Sequence, residues 1–172
     1  VHQPNVDSSQ SQSLPMTMPA ILPAEQTAQI KPPVSAPAEV APATPIEDSL
    51  VYNAAFSELK SKHYRAAIDD MNQFVKDFPA SKHLPEAYYW LGEMYLITGD
   101  EKKATAAFHT VVSRFPAETK SADALLKLGL LAYGQGEWQA SKNNFRLVVS
   151  RFPKSTAATF ADRRLRQMIL EG

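Results

Sequence analysis

The stretch YYWLGEMYLITGDEKKATAAFHTVVSRFP, residues 88–116, carries a pattern that returns elsewhere in the chain. Its final Phe-Pro pair, at 115–116, has counterparts at 78–79 and 152–153, and each step is 37 residues. Before each pair, apolar residues recur at the spacing of one helix face, and the proline then ends the helix. The sequence therefore predicts three consecutive helix pairs, which must stack on one another to bury their apolar faces.

Glycine has two roles in these copies. Thr98-Gly99-Asp100 and Gln135-Gly136-Glu137 separate the two helices of a pair, where glycine permits a left-handed C-cap and the acid can cap the next helix. The first copy has Ser61-Lys62-His63 at this place. Gly92 and Gly129 fall inside helices, where glycine costs about 1 kcal/mol relative to alanine, so they predict a close approach of two helices. The expected opposite faces are Ala67, Ala104 and Ser141.

The amino-terminal segment has a different composition. Nine of the 13 prolines lie in residues 1–45, and no aromatic residue precedes Tyr52. Proline removes a backbone donor and fixes φ, and too few large apolar groups are present to offset the entropy of ordering. We predict a disordered proline-rich linker at 1–45 and a repeat domain at 46–172. Its expected parts are repeats at about 48–84, 85–121 and 122–153 and a capping helix at 155–171.

Composition and charge exclude several classes of site. The chain has no net charge, although residues 1–49 hold five acids and one base and the remainder has a small surplus of bases. That surplus is far from the basic stripe of a nucleic-acid binder. Without cysteine there is no disulfide or thiolate zinc site, and the four histidines are scattered. We predict no catalytic residues, cofactor, metal, nucleic-acid partner or direct membrane insertion.

The repeat resembles the tetratricopeptide repeat. The signature of that family appears in the second copy as Tyr88, Leu91, Gly92, Tyr95, Ala104, Phe108 and Pro116. The resemblance covers about residues 48–153, and the period of 37 exceeds the usual 34. It implies an all-α solenoid of three helix hairpins plus a carboxy-terminal capping helix. This long-period form is similar to repeats of Gram-negative envelope proteins, and residues 89–93 and 120–129 are similar to the carboxy-terminal domain of the YbgF/CpoB family of the Tol-Pal system.

The resemblance also implies a function. Members of the YbgF/CpoB family are periplasmic adaptors that bind TolA and coordinate outer-membrane constriction with peptidoglycan synthesis by a bifunctional penicillin-binding protein during cell division. The family oligomerises through a coiled coil that this chain does not contain. Two alternatives stay open: a component of an outer-membrane assembly lipoprotein system, and a repeat module appended to a cell-wall enzyme.

In this repeat class the first helix of each copy lines an inner, concave wall. The residues spaced four and three apart on these helices are almost all apolar, so we predict a partner-binding groove. Its predicted binding residues are Tyr52, Phe56, Tyr89, Glu93, Leu126, Leu130 and Tyr133. Tyrosine offers flat apolar area and a polar tip, which suits an interface, and Glu93 would pair with a basic group of the ligand. The alternative is that these side chains bury one another.

Three expectations concern the end of the domain. Trp138, at the start of a second helix, is expected to pack rather than to bind. Ser155 is expected to be an N-cap. The capping helix is expected to bury a stripe of Ala158, Ala161, Leu165, Met168 and Ile169. The cluster of Arg163, Arg164 and Arg166 is expected to form a solvated outer face, with contact to an acidic partner as the alternative.

Overall fold

The computed structural model describes residues 45–170, which form seven α-helices and no strand. Their bounds are α1 Pro45–Lys60, α2 Tyr64–Asp77, α3 Leu84–Ile97, α4 Glu101–Arg114, α5 Thr119–Gly134, α6 Trp138–Arg151 and α7 Thr156–Leu170. Neighbouring helices pack in sequence, which confirms the predicted all-α fold of three hairpins and a final helix. The predicted linker lies outside the described residues except for Pro45, and the division of the chain at residue 45 stays a prediction.

The turns inside the three hairpins use one left-handed residue each. Gly99 has φ +83° and Gly136 has φ +76°, as the sequence predicts, and Lys62 takes the same place in the first hairpin with φ +62°. Asp100 caps α4, since its Oδ1 accepts from the backbone amide of Lys103 at 3.1 Å. The same prediction is wrong for Glu137, whose side chain makes no capping bond. Glutamate is one methylene longer than aspartate and is not among the favoured N-cap residues.

Close helix approach within the hairpins is explained by aromatic rings. A Cβ added to Gly92 would lie 2.5 Å from Cε1 of Phe108, and one added to Gly129 would meet Cε1 of Phe145 at least as closely. The predicted close approach is therefore confirmed, but the nearest opposing groups are phenylalanines one turn beyond the predicted small residues. Among those, Ser141 does reach the facing helix, since its Oγ donates to the carbonyl of Gly129 at 2.8 Å.

The apolar core is divided into three clusters along the solenoid. The first joins α1, α2 and α3, with Ala107 of α4, around Met71 and Phe74, and the second joins α3, α4 and α5 around Phe108 and Val111. The third joins α5, α6 and α7 around Phe145. Helices α3 and α5 therefore each contribute to two clusters, as expected of repeats that are stable only when stacked.

The last helix covers the open end of the third pair. Ser155 is its N-cap, because its Oγ accepts from the backbone amide of Ala158 at 3.1 Å. Ala158, Ala161 and Met168 are buried and Leu165 is half-buried, as predicted. The prediction is wrong for Ile169, which is 69% exposed. Ile169 follows Met168 directly, and a step of about 100° around the helix turns it away from the core.

Candidate functional site

The concave wall predicted from the sequence corresponds to one face of α1, α3 and α5. We call this surface the inner face, and it comprises three equivalent positions on each helix: Tyr52, Phe56 and Leu59 on α1; Tyr89, Glu93 and Leu96 on α3; and Leu126, Leu130 and Tyr133 on α5. These positions differ widely in exposure from one helix to the next. The site must therefore be described in its three parts.

On α1, the Tyr52 ring is buried between helices, with only 6% of the residue exposed. It stacks on His83 with ring centroids 4.6 Å apart, and its hydroxyl donates to Oε2 of Glu86 at 3.4 Å. Burial, with the neighbouring Glu86 carboxylate, raises the pKa of this phenol, so it stays neutral. Rings from the α2–α3 loop and from α1 cover Tyr52 in this structure, and its role as a partner contact stays a prediction.

The start of α1 is held in place by a small polar network. Asp48 is buried, and its carboxylate accepts from Oγ of Ser81 at 2.6 Å and from Oγ of Ser49 at 3.2 Å. The bond from Ser81 lowers the pKa of Asp48 from its ordinary value. Ser49 is also 3.1 Å from Nε2 of His83. This network holds His83 in position, and the His83 ring stacks on Tyr52.

On α3, Tyr89 is also buried, at 9% exposed. Its ring lies 5.7 Å from that of Phe108 and 5.4 Å from that of Trp90, and Nζ of Lys120 lies 4.7 Å above it. Desolvation, followed by the nearby Glu93 carboxylate, raises the pKa of Tyr89. Lys120, from the start of α5, thus closes this part of the inner face. Little of the Tyr89 side chain is accessible in this structure, and its role as a partner contact stays a prediction.

Phe56 stays partly accessible at the boundary between α1 and α3. Its ring lies 5.5 Å from that of Trp90, and Nζ of Lys60 lies 5.5 Å from its centre. Trp90 is itself half-buried, so the indole forms part of the wall between the first two copies. Phe56 therefore offers one edge of an aromatic ring to the groove.

The charge in the middle of the inner face is already paired. Nζ of Lys127, on α5, donates to Oε2 of Glu93 at 2.8 Å, and both side chains are partly buried. The other carboxylate oxygen, Oε1, is buried and accepts no hydrogen bond from the described residues. The sequence predicted that Glu93 pairs with a base of the ligand, whereas the structure gives it a partner within the domain.

On α5 the inner face opens. Leu126 is half-buried and Leu130 is 44% exposed, and both line a cleft of about 330 Å³ between α5 and α7. Across the cleft, Phe160 of α7 is 52% exposed. The remaining lining residues are Arg163, Arg164 and Gln167. Of the predicted binding residues, Leu126 and Leu130 are therefore the ones that the structure brings together in an accessible apolar site.

Tyr133 joins the end of the cleft to the capping helix. The guanidinium carbon of Arg164 lies 3.8 Å from the centre of its ring, and Trp138 meets it edge-on at 4.9 Å. Nε of Arg164 is buried and has no hydrogen-bond partner in the described part of the chain. The predicted solvated face is therefore wrong for Arg164. Trp138 does contact Tyr133, but it is 53% exposed rather than packed inside.

The contribution of α7 to this site was missed, although the sequence contains a signal for it. Extending the period of 37 residues beyond the third copy places Arg163 at the position of Leu126 and Gln167 at that of Leu130. The capping helix therefore presents inner-face positions of a fourth, incomplete copy. The sequence prediction gave α7 the role of a capping helix with its arginines in solvent, so it did not include these equivalent positions.

Two further searches cover residues 45–170. No helix in this range is both long and apolar enough to cross a bilayer. No group of three or more histidine, aspartate or glutamate side chains in the same range is arranged to hold a metal ion.

Comparison with known proteins places this geometry in context. The model of a family described as YfiO, outer membrane lipoprotein, matches residues 44–169. Two curated proteins of Pseudomonas putida, both named Cell division coordinator CpoB, are 39% identical to the chain over 59 residues. That match covers 34% of this chain and 22% of each relative, so the similarity spans less than a quarter of their length.

Solved structures with the same architecture are more distant in sequence. The type III secretion chaperone SycD of Yersinia enterocolitica, in complex with a peptide of the translocator YopD, superimposes with a TM-score of 0.63 at 13% identity, covering 75% of this chain and 96% of SycD. The Sgt2 TPR domain from Aspergillus fumigatus gives 0.59 at 20% identity, covering 79% and 84%. At these identities the likeness establishes the tetratricopeptide fold.

Proposed function

Since this chain belongs to the family described as YfiO, outer membrane lipoprotein, and its similarity to CpoB supports a tetratricopeptide protein of the YbgF/CpoB kind, we propose that it is a non-catalytic periplasmic adaptor. It binds a protein partner in the groove along the inner face. The observation that carries the proposal is the cleft between α5 and α7, where Leu126, Leu130 and Phe160 leave apolar surface accessible. Contiguous exposed apolar surface on a small domain commonly marks a binding site.

The inner face divides the work of binding between buried and exposed residues. Tyr52 and Tyr89 are buried and hold the wall in place, while Leu126, Leu130 and Tyr133 are accessible to a partner. Phe56 adds an aromatic edge further along the groove. A groove with apolar anchors in a row suits an amphipathic helix or an extended segment laid along it. The affinity would then come from a few anchors near the cleft, as in most interfaces.

The proposed partner is TolA, and the proposed role is to coordinate outer-membrane constriction with peptidoglycan synthesis, with a bifunctional penicillin-binding protein as a second partner. This identification rests on the name of the relatives, Cell division coordinator, and on the resemblance of residues 89–93 and 120–129 to the YbgF/CpoB family. The proposed cellular location is the periplasm of a Gram-negative bacterium.

A second candidate function is supported by the family model. Its description, an outer membrane lipoprotein, and its extent over residues 44–169 favour a component of an outer-membrane assembly complex. Such a component would also bind proteins through a stacked-repeat groove. The two candidates therefore differ in partner rather than in mechanism, and they are separated by testing TolA directly.

The test uses the whole chain and the periplasmic part of TolA in isothermal titration calorimetry. Leu130→Arg places a charge in the cleft and is expected to weaken binding by at least about tenfold. Leu147→Arg is a matched control, because Leu147 is 42% exposed but lies on α6, outside the inner face. The control is expected to bind like the wild type, and both variants should melt near the wild-type temperature.

Two results would overturn the proposal. Absence of any heat with wild-type protein would remove TolA as the partner and favour the outer-membrane assembly candidate. Weaker binding by Leu147→Arg with normal binding by Leu130→Arg would show that a second-helix surface, not the inner face, is the binding site.

A further inference from the structure

We propose that the cleft between α5 and α7 selects a partner segment in which an apolar side chain is flanked by aspartate or glutamate. The inference rests on the proposed function, because it takes the groove as a protein-binding site and names the chemistry of the segment that binds there. It changes the expectation of a purely apolar ligand.

The apolar half of this specificity comes from the floor of the cleft. Leu126 and Leu130 stand on α5, and Phe160 faces them from α7. A volume of about 330 Å³ is at the lower end for a ligand site and suits one or two side chains rather than a broad surface. An inserted leucine, isoleucine or phenylalanine side chain would remove these three exposed groups from water at once.

The charged half comes from two arginines at the mouth of the cleft. Neither Arg163 nor Arg164 has an acidic side chain within ion-pair distance among the described residues. Three other cations of α5 and α7 are paired with acids: Lys127 with Glu93 at 2.8 Å, Lys120 with Asp123 at 3.4 Å, and Arg166 with Asp162 at 2.9 Å. The inner face therefore has an unbalanced positive charge beside its most exposed apolar surface.

The two guanidinium groups are also held in place by aromatic rings. Arg164 lies 3.8 Å over Tyr133, and its Nη1 donates to Oε1 of Gln167. Arg163 lies 5.8 Å from the centre of the Phe160 ring. Stacking uses the flat face of guanidinium and leaves donors at its edge, which match the two oxygens of a carboxylate. This edge is exposed at Arg163, whereas at Arg164 Nε is buried and Nη1 already donates to Gln167. A pre-positioned arginine loses less side-chain entropy on binding than a free one.

A protein segment fits these features better than a nucleic acid. The lining of the cleft is apolar apart from its rim, and the described part of the chain has no continuous basic stripe of the kind that follows a phosphate backbone. The charge complement is therefore a side-chain carboxylate placed next to an apolar anchor. On a helix, this corresponds to an acid one turn away from a leucine or phenylalanine.

The experiment selects short random peptides displayed on phage against the whole chain, with depletion on Leu130→Arg. The expected winners carry Asp or Glu within one helical turn of Leu, Ile or Phe. For a synthetic winner, Arg163→Gln should weaken binding by about tenfold, and Arg163→Lys should restore part of it. Arg65→Gln, on the exposed surface of α2, is the control and should leave affinity unchanged. Thermal melting confirms that each variant is folded.

The proposal is overturned if the winning peptides are neutral or basic, if Arg163→Gln binds them as tightly as wild type, or if depletion on Leu130→Arg leaves no enriched peptide. It is also overturned if sedimentation shows a dimer that Leu130→Arg dissociates, because the cleft would then hold a second copy of the chain. These outcomes are independent of TolA. Acidic winners with no TolA binding would leave the cleft chemistry standing and remove only the proposed partner.

Discussion

The two ends of the inner face occupy the same positions of the repeat and yet differ in accessibility. Tyr52 and Tyr89 stand where Leu126 stands one or two periods later, but the tyrosines are 6% and 9% exposed whereas Leu126 lies in an open cleft. The difference does not follow from residue type, since tyrosine is the more polar side chain. It shows that exposure in a solenoid depends on what the following copy places over a position.

The covering groups can be identified at each step. Tyr52 is covered by His83 from the α2–α3 loop, and Tyr89 by Lys120 from the start of α5. After α5 the next helix on the inner face is the cap α7, and its arginines stack on Phe160 and Tyr133 rather than over the leucines. The last interval of the groove therefore stays open, and the inner face has its accessible leucines there.

The largest expected effect separates the two ends by stability. Tyr89→Ala should lower the free energy of unfolding by about 3 kcal/mol, because it removes a buried ring that packs on Phe108. Leu130→Ala, on a half-exposed side chain, should cost less than about 1 kcal/mol. Urea denaturation followed by circular dichroism measures both. Similar costs for the two variants would contradict the distinction between a closed and an open end.

The second prediction concerns the contact between glycine and phenylalanine that the second and third hairpins have in common. Gly92→Ala and Gly129→Ala should each cost about 1–3 kcal/mol, because the added methyl group would collide with Phe108 or Phe145. Gly134→Ala is the control, as nothing lies near its Cβ position and the change should be within about 0.5 kcal/mol or stabilising. A large loss of unfolding free energy in one hairpin alone would mean that the two hairpins do not pack in the same way.

The smallest effect concerns the turn of the first hairpin. Lys62 adopts φ +62°, a conformation that glycine takes without strain at the equivalent positions of the next two copies. Lys62→Gly should therefore raise stability by about 0.5–1 kcal/mol, partly offset by the greater freedom of glycine in the unfolded chain. Differential scanning calorimetry at low protein concentration would detect the shift in melting temperature. A loss of stability would indicate that the Lys62 side chain makes contacts of its own.

The helices and turns could be predicted from the sequence because they depend on local signals. The period of 37 residues, the prolines after each second helix and Gly99 and Gly136 act within a few residues of where they stand. The burial of Tyr52 and Tyr89 could not be predicted in the same way. It depends on His83 and Lys120, which are 31 residues further along the chain in each case.

The candidate site was predicted in part for the same reason. Leu126 and Leu130 follow from the helical spacing alone, but the other wall of their cleft belongs to α7. Arg164 is charged and lies in a helix predicted to cap the domain, so its side chain is predicted to be exposed to solvent. Its stacking on Tyr133 is a contact between α7 and α5, which can be seen only in the folded structure. The period extended past the third copy was the one signal that would have placed Arg163 and Gln167 beside the leucines.

The sharing of α3 and α5 between core clusters has a consequence for how the domain opens. Only α5 contributes buried residues to both the second and the third cluster, so we expect that α6 and α7 can detach from α5 while the first two clusters stay closed. A segment lodged between α5 and α7 bridges the joint at which such fraying begins. We therefore expect a bound ligand to slow amide hydrogen exchange in α7 and to leave the exchange rates of α1 and α2 unchanged.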